Sequence, residues 1–274
     1  MGNKDGIEME KTVAIVLAAG LGKRMHSSTQ KQFLLLKGYP VLYYSLKAFE
    51  ESEVDQIILV TGQSELEYCR KEIVGCYGFR KVAAIVAGGK ERYHSVYEGL
   101  RAASCLYREK NQMEAQHSSV QEELPLQDRE GAFPDYVLIH DGARPFVTPE
   151  IITRTLMGAK AYGACVAGMP VKDTIRMLDE ENFSEFTPDR SRVWMMQTPQ
   201  TFSFPLIYDA YQRLIRLEKS GRAVSVTDDA MVLECMTGKR VKLTEGSYEN
   251  IKITTPSDLL TAEAFLRSRG NGIS

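Results

Sequence analysis

The 274-residue chain has little of what metal and disulfide sites are built from. Its five cysteines, Cys69, Cys76, Cys105, Cys165 and Cys235, are scattered and never in CxxC spacing. That excludes a zinc knuckle or a disulfide framework and leaves reduced thiols in a cytoplasmic protein as the reading. The four histidines, His26, His94, His117 and His140, form no H-x-x-x-H pattern, so no histidine metal site is expected. No stretch approaches the roughly 18 consecutive apolar residues of a membrane span. Met1 to Lys11 lacks the apolar core of a signal peptide, and Gly6 stands where a myristoylation pattern needs Ser or Thr. Nor is there a charge excess: 34 Lys+Arg face 36 Asp+Glu, for a formal charge of -2, which argues against a broad nucleic-acid surface.

What is present is an alternation. Apolar, β-branched runs at Thr12 to Leu17, Gln56 to Val60, Lys81 to Val86, Tyr136 to His140 and Ala164 to Ala167 read as strands. Helical patterns lie between and beside them, at Val41 to Phe49, Ser64 to Val74, His94 to Ala103 and Pro149 to Tyr162. Further on come helices at Leu206 to Leu217, Asp228 to Met236 and Pro256 to Arg267, with strands at Arg240 to Leu243 and Asn250 to Ile253. Alternation of this kind predicts an α/β fold, a mostly parallel sheet with helices on both faces, whose ligands sit beyond the strands' carboxyl ends. With 43% hydrophobic residues, the length allows one large α/β domain over residues 1–274 or two small ones. Two segments break the pattern. Residues 104–134 are polar and acid-rich and read as a solvated surface insertion with a surface helix. Residues 171–197 hold two short alternating runs that predict an antiparallel β-arm, whose apolar side requires a partner and so suggests a dimer.

The candidate chemistry falls at the predicted strand ends. Ala18, Ala19, Gly20 and Gly22, followed by Lys23, Arg24 and the pair Lys31-Gln32, give small residues that let backbone N–H groups approach an anion, with cations to balance it. The pattern is neither a P-loop nor a dinucleotide fingerprint, and a tight strand-to-helix turn with solvated cations would read similarly. His140-Asp141-Gly142-Ala143-Arg144 follows another strand. Asp141 and Arg144 there could serve a metal-nucleotide or a polar substrate, or form a local ion pair in an Asp-Gly turn. His140, last in an apolar run, reads as a hydrogen-bonded core residue. Lys252 alternates with Ile251 and Ile253, as on a surface strand. Gly88-Gly89, with Glu91, Arg92 and Ser95 beyond, offers a place for a base or ribose.

In order, LAAGLGKRM, KQF, AGGKERYHSV, IHDGARPFV, PVKDTIR, QTPQTF, VTDDAMVLE and EGSYENIKITTP resemble the 2-C-methyl-D-erythritol 4-phosphate cytidylyltransferases, from about Thr12 to Phe265. The resemblance implies a Rossmann-like core of the nucleotide-diphospho-sugar transferase type, with an arm exchanged across a homodimer. It implies transfer of CMP from CTP to 2-C-methyl-D-erythritol 4-phosphate with Mg2+, in non-mevalonate isoprenoid biosynthesis. It assigns catalysis to Arg24, Lys31 and Lys252, and nucleotide binding to Ala18, Ala19, Gly20, Gly22, Gly89 and Ser95. The methylerythritol phosphate falls to Asp141, Arg144, Thr174, Arg190 and Thr198, with Thr174 and Arg190 supplied by the other subunit's arm. Asp141 would also lie near a metal held largely by the CTP phosphates.

The sequence departs from the family pattern at Gln30, where Pro is common, at Lys90, where Asp is frequent, and in residues 104–134, which compact members lack. The nearest competing reading is a pentitol (ribitol 5-) phosphate cytidylyltransferase, which shares the phosphate loop and the HD-x-x-RP motif. A nicotinamide oxidoreductase lacks its fingerprint here. A non-catalytic nucleotide-binding regulator has no positive support, because every expected cation is present. No nucleic-acid or membrane partner is expected.

Overall fold

The computed structural model describes residues 10–20, 30–115, 133–222 and 225–270. Gly22 and Arg24 therefore lie outside the described residues, as does most of the acid-rich stretch before Phe133. Strand β1 (Thr12–Ala18) leads to a single 3-10 turn at Lys31–Phe33, a two-residue hairpin of β2 (Leu35–Leu36) and β3 (Tyr39–Pro40), and helix α1 (Val41–Glu50). Then follow β4 (Gln56–Thr61), the short α2 (Leu66–Tyr68) running into a π-helical stretch at Cys69–Gly75, β5 (Val82–Ala87), α3 (Arg92–Ala115), β6 (Tyr136–Asp141), α4 (Pro149–Tyr162) and β7 (Ala164–Pro170). The chain continues through β8 (Met177–Leu178), β9 (Ser184–Phe186), β10 (Trp194–Ser203), α5 (Phe204–Lys219), α6 (Asp229–Thr237), β11 (Lys242–Glu245) and α7 (Pro256–Gly270).

Seven strands form one sheet in the order β11-β7-β10-β6-β1-β4-β5. All its neighbours are parallel except β10, which runs antiparallel to both β6 and β7. The sheet is thus mostly parallel, as its apolar runs predict. Alternation along β1 shows how it is covered. Val13 and Ile15 pack with Val96 and Leu100 of α3 and Phe202, Tyr211 and Leu214 beyond them. Ala14 and Val16 point the other way, to Leu42, Leu46 and Phe49 of α1 and Ile151 and Ile152 of α4. Both faces are dry, which is why β1 reads as a continuous apolar run rather than an alternating one. A third cluster, Leu36, Val41, Phe146, Ile253 and Ala262, docks α7. The winding reverses at β1, which has β4 on one side and β6 on the other, and ligands of open α/β sheets bind at such a reversal.

Three sequence expectations need correction. The first part of the 104–134 segment is not surface insertion: α3 continues through it to Ala115, and Ser104 and Tyr107 are buried. The Tyr107 hydroxyl lies 3.5 Å from the Thr12 carbonyl oxygen, at the start of β1. In the arm, only Met177–Leu178 and Ser184–Phe186 pair with each other, while the second predicted run, from Trp194, belongs to the main sheet. The arm's Met177, Leu178, Phe183 and Phe186 are all exposed within this chain, Phe183 to 72%. Finally, Asn250 to Ile253 is not a strand. Its backbone donors are drawn elsewhere: Ile253 N–H to the Ala143 carbonyl at 2.8 Å, and Thr254 N–H to Asp258 Oδ2 at 2.9 Å.

Candidate active site

Beyond the carboxyl ends of β1, β5 and β6 lies a cleft of two lobes. The larger, about 430 Å3, is lined by Ala18, Ala19, Gly20, Lys31, Gly89, Ser95, Asp141 and Lys252, among others. The smaller, about 270 Å3, is lined by Arg144, Gln197, Thr198 and Asp228 and shares Arg92, Asp141 and Lys252 with the first. Of the described residues predicted for the site, only Thr174 and Arg190 line neither lobe. They stand exposed on the arm, where Arg190 Nη1 donates to the Lys172 carbonyl at 3.1 Å.

Local chemistry explains each position. Gln32 is buried and donates from Nε2 to the Ala18 carbonyl at 2.5 Å, pinning the 3-10 turn that carries Lys31 to the end of β1. The same Nε2 contacts Gln30 Oε1, so the residue standing in the usual proline position supplies a side-chain tether. At the β5 end, a Cβ on Gly88 would fall 2.6 Å from Ser95 Oγ and 2.7 Å from the Ala19 Cβ, so only glycine lets the two strand-end loops meet. Ser95 Oγ accepts from Gly89 N–H at 3.1 Å, fixing that loop over the first turn of α3. On β10, the ladder jumps from Met196 opposite Gly168 to Gln200 opposite Val166. Four residues of β10 thus span two of β7, and the bulge turns Gln197 and Thr198 out of the ladder into the smaller lobe.

Asp141 is the hub. Lys252 Nζ lies 2.8 Å from its Oδ2, Arg92 Nε 3.5 Å from Oδ1, and Arg144 Nε 3.8 Å from Oδ2. Burial alone would raise its pKa, but the charges of Arg92, Lys252 and Arg144 outweigh burial and hold it well below the usual carboxylate range. Arg144 is itself lowered by burial, opposed by Asp141, and donates to the carbonyls of Asn250 at 2.7 Å and Met196 at 3.5 Å. It therefore ties the Asp141 loop to the Lys252 segment as well as lining the smaller lobe. Asn250 reinforces this, donating from Nδ2 to the Thr198 carbonyl at 2.9 Å.

His140 is fully buried, and burial pushes its pKa down to about 4, so it is neutral at physiological pH. Its Nε2 lies 3.3 Å from the Arg144 carbonyl, which can only accept, so Nε2 carries the proton and Nδ1 accepts from the Thr198 hydroxyl at 2.9 Å. Thr198 Oγ1 in turn accepts from Asp141 N–H at 3.1 Å. This hydroxyl–imidazole contact is committed to backbone on both sides. It shapes the loop and is not a nucleophile–base pair.

Sequence reasoning missed one feature. Arg92 donates from Nη1 and Nη2 to the two carboxylate oxygens of Asp229, at 2.8 and 2.7 Å, and Asp229 is wholly buried. Both residues stand in the motifs AGGKERYHSV and VTDDAMVLE, but nothing in the sequence pairs them. Asp228 caps α6, accepting from Met231 N–H at 2.9 Å.

A cleft beyond the carboxyl ends of a mostly parallel sheet, walled by Lys31, Arg92, Arg144 and Lys252, is of the kind an α/β nucleotidyltransferase uses. Comparison with known proteins carries this further. The family model for 2-C-methyl-D-erythritol 4-phosphate cytidylyltransferase (IspD) matches residues 12–109 and 114–268. Relatives so named from Lachnoclostridium phytofermentans and Lachnospira eligens are 44% and 46% identical, covering 94% and 93% of this chain and 97% and 98% of theirs. Among solved structures, the 4-diphosphocytidyl-2C-methyl-D-erythritol synthase of Anaerococcus prevotii superposes with a TM-score of 0.72 at 29% identity, covering 94% of this chain and 96% of its own. The 2-C-methyl-D-erythritol 4-phosphate cytidylyltransferase of Thermus thermophilus gives 0.66 at 27%, covering 94% and 100%. The chain belongs to the 2-C-methyl-D-erythritol 4-phosphate cytidylyltransferase family and is an enzyme of CTP-dependent cytidylyl transfer in isoprenoid biosynthesis.

Proposed function

We propose that the larger lobe takes CTP, the smaller lobe takes 2-C-methyl-D-erythritol 4-phosphate, and the two react where the lobes share Asp141, Lys252 and Arg92. That shared wall is the observation that carries the reading. Ala18, Ala19, Gly20 and Lys31 surround the phosphates, a role that the family motif LAAGLGKRM extends to Gly22 and Arg24, which lie outside the described residues. Gly89 and Ser95 hold the nucleoside. Asp141, Arg144 and Thr198 meet the methylerythritol group, and Thr174 and Arg190 of a second copy's arm grip its phosphate.

The chemistry needs no base from the chain. A phosphate monoester has its second pKa near 6, so the attacking oxygen is already anionic at neutral pH. It forms a new bond to the α-phosphorus of CTP while the bond to the β-phosphate bridging oxygen breaks, and pyrophosphate leaves with that electron pair. Lys31, Arg24 and Lys252 offset the repulsion between two anions and the charge that builds at phosphorus. No cluster of three or more His, Cys, Asp or Glu able to hold a metal is present among the described residues. A single carboxylate suits Mg2+, which is commonly bound through one or two carboxylates plus substrate phosphates. Asp141 is the carboxylate on the shared wall, but Lys252, Arg92 and Arg144 already surround it, so an ion near it would be held largely by the CTP phosphates. The ion would neutralise phosphate charge at the reacting phosphorus.

The test is pyrophosphate release with CTP, Mg2+ and either 2-C-methyl-D-erythritol 4-phosphate or ribitol 5-phosphate. Release with the first substrate is expected. Preference for ribitol phosphate would move the chain to the pentitol reading, and CTP binding without product would leave a regulator.

A further inference from the structure

Arg92 opens α3 and lines both lobes of the cleft. Its guanidinium is a planar fork of five donors that cannot be deprotonated. Nη1 and Nη2 each donate to Asp229, and burial of Asp229 leaves that carboxylate no water to turn to. Tyr211, also buried, donates its hydroxyl to Asp229 Oδ1 at 2.5 Å. The next residue in α6 is fixed as well: Ala230 N–H donates to Gln200 Oε1 at 2.9 Å, and Gln200 Nε2 reaches Asp228 Oδ2 at 2.9 Å. The remaining edge of Arg92, Nε, is turned to Asp141 Oδ1 at 3.5 Å. A relay therefore runs Tyr211–Asp229–Arg92–Asp141, from α5 through α6 and α3 to the end of β6.

The relay has a consequence for how Asp141 is turned. With its Nη1 and Nη2 end on Asp229, Arg92 faces Asp141 from its Nε side, nearest Oδ1 at 3.5 Å, while Oδ2 is nearest Lys252 Nζ at 2.8 Å. Released from Asp229, the Nη1/Nη2 fork would be free to swing to Asp141 and compete with Lys252 for its oxygens. We propose that Arg92, held by Asp229, is a positioning residue of the transfer reaction: it orients Asp141 so that one carboxylate oxygen meets Lys252 and the other meets the methylerythritol substrate. This rests on the assignment of Asp141 to that substrate. Arg92 itself needs no contact with either substrate.

The experiment measures kcat and both KM values for Asp229→Asn, Asp229→Glu, Arg92→Lys and the Asp229→Asn, Arg92→Lys double variant, each normalised to folded protein, with Asp141→Asn as the reference. Asp229→Asn loosens the hold on the fork, and Arg92→Lys replaces the planar fork by a point-like ammonium that cannot hold Asp229 bidentately while facing Asp141 in a fixed direction. Both are expected to lower kcat about tenfold or more and raise the sugar-phosphate KM several-fold, with the CTP KM changed by no more than about twofold. Asp229→Glu should recover most of the loss, and the double variant should be no worse than the poorer single one. If Asp229→Asn does not fold, Arg92→Lys alone decides by the same split. Unchanged kinetics in folded variants, or equal rises in both KM values, would overturn the proposal and leave the relay a purely structural one. If Asp141→Asn itself leaves the sugar-phosphate KM unchanged, the substrate assignment fails and the proposal with it. If Asp141→Asn raises it while Asp229→Asn and Arg92→Lys do not, the relay alone is refuted.

Discussion

Lys31 owes its place to a neighbour that does no chemistry. The buried Gln32 amide holds the turn to β1, so the ammonium lines the larger lobe from a three-residue segment that would not hold a position alone. Replacing Lys31 by Ala should cut turnover by about two to three orders of magnitude, as loss of a preorganised charge at an oxyanion does. Its melting temperature should stay close to that of the parent, since Gln32 and Phe33 carry the packing. Near-normal turnover would strike Lys31 from the catalytic set. Most of the residues that line the cleft were readable at this scale because they directly follow apolar strand patterns, and the strand ends of an α/β sheet converge on one cleft. Arg92 and Asp229 were not, since they are 137 positions apart and their pairing exists only once α3 and α6 lie side by side. The fixed tautomer of His140 was equally hidden: the sequence suggests a core histidine, but its partners come from a bulge in β10.

At the level of elements, the stretch before α7 shows why a strand pattern failed. Ile251 and Ile253 alternate with Lys252 as a strand would, but Ile253 is an anchor in the α7 cluster and the backbone donors are claimed by loops and by a helix cap. Asp258 Oδ2 accepts from Thr254 N–H and Thr255 N–H at 2.9 and 2.8 Å and from both threonine hydroxyls, at 2.8 and 2.9 Å. Burial alone would raise the Asp258 pKa; these hydrogen bonds outweigh it and hold the group below its ordinary value. A carboxylate depressed in the folded state adds stability above its unfolded pKa of about 3.9, and that stability fades as pH falls through the folded value. Asp258→Asn should therefore cost about 1 kcal/mol at neutral pH, with a smaller deficit near pH 3. Urea unfolding at the two pH values measures it, and a deficit independent of pH would show that the charge contributes nothing. The helices and central strands were legible because their apolar periods are long. The arm was legible as an antiparallel pair within 171–197, but the extent of its strands was not, because two ladder pairs between β8 and β9 give too short a period to mark their ends.

For the molecule as a whole, the arm decides whether one chain suffices. Its exposed Met177, Leu178, Phe183 and Phe186 and the distance of Arg190 from its own cleft fit a site completed by a second copy. Arg190→Ala should chiefly raise the KM for the sugar phosphate, because a planar fork for phosphate is lost. Mixing that variant with Lys31→Ala should then restore part of the activity in verified heterodimers, since one of the two sites would hold both intact residues. No recovery there would confine each site to a single chain. The α/β plan was legible in the alternation of apolar runs, but the near-neutral charge concealed how the cleft is balanced. Arg92, Arg144 and Lys252 face Asp141, and Arg92 is shared with Asp229, so three cations are offset by two anions before any ligand arrives. A chloride or sulfate ion entering from the cell's ionic background meets cations that already have partners, and gains little by displacing them. Only a ligand with enough negative charge, arranged along the whole wall, repays that exchange, so the enzyme should tolerate salt better than its count of active-site cations suggests.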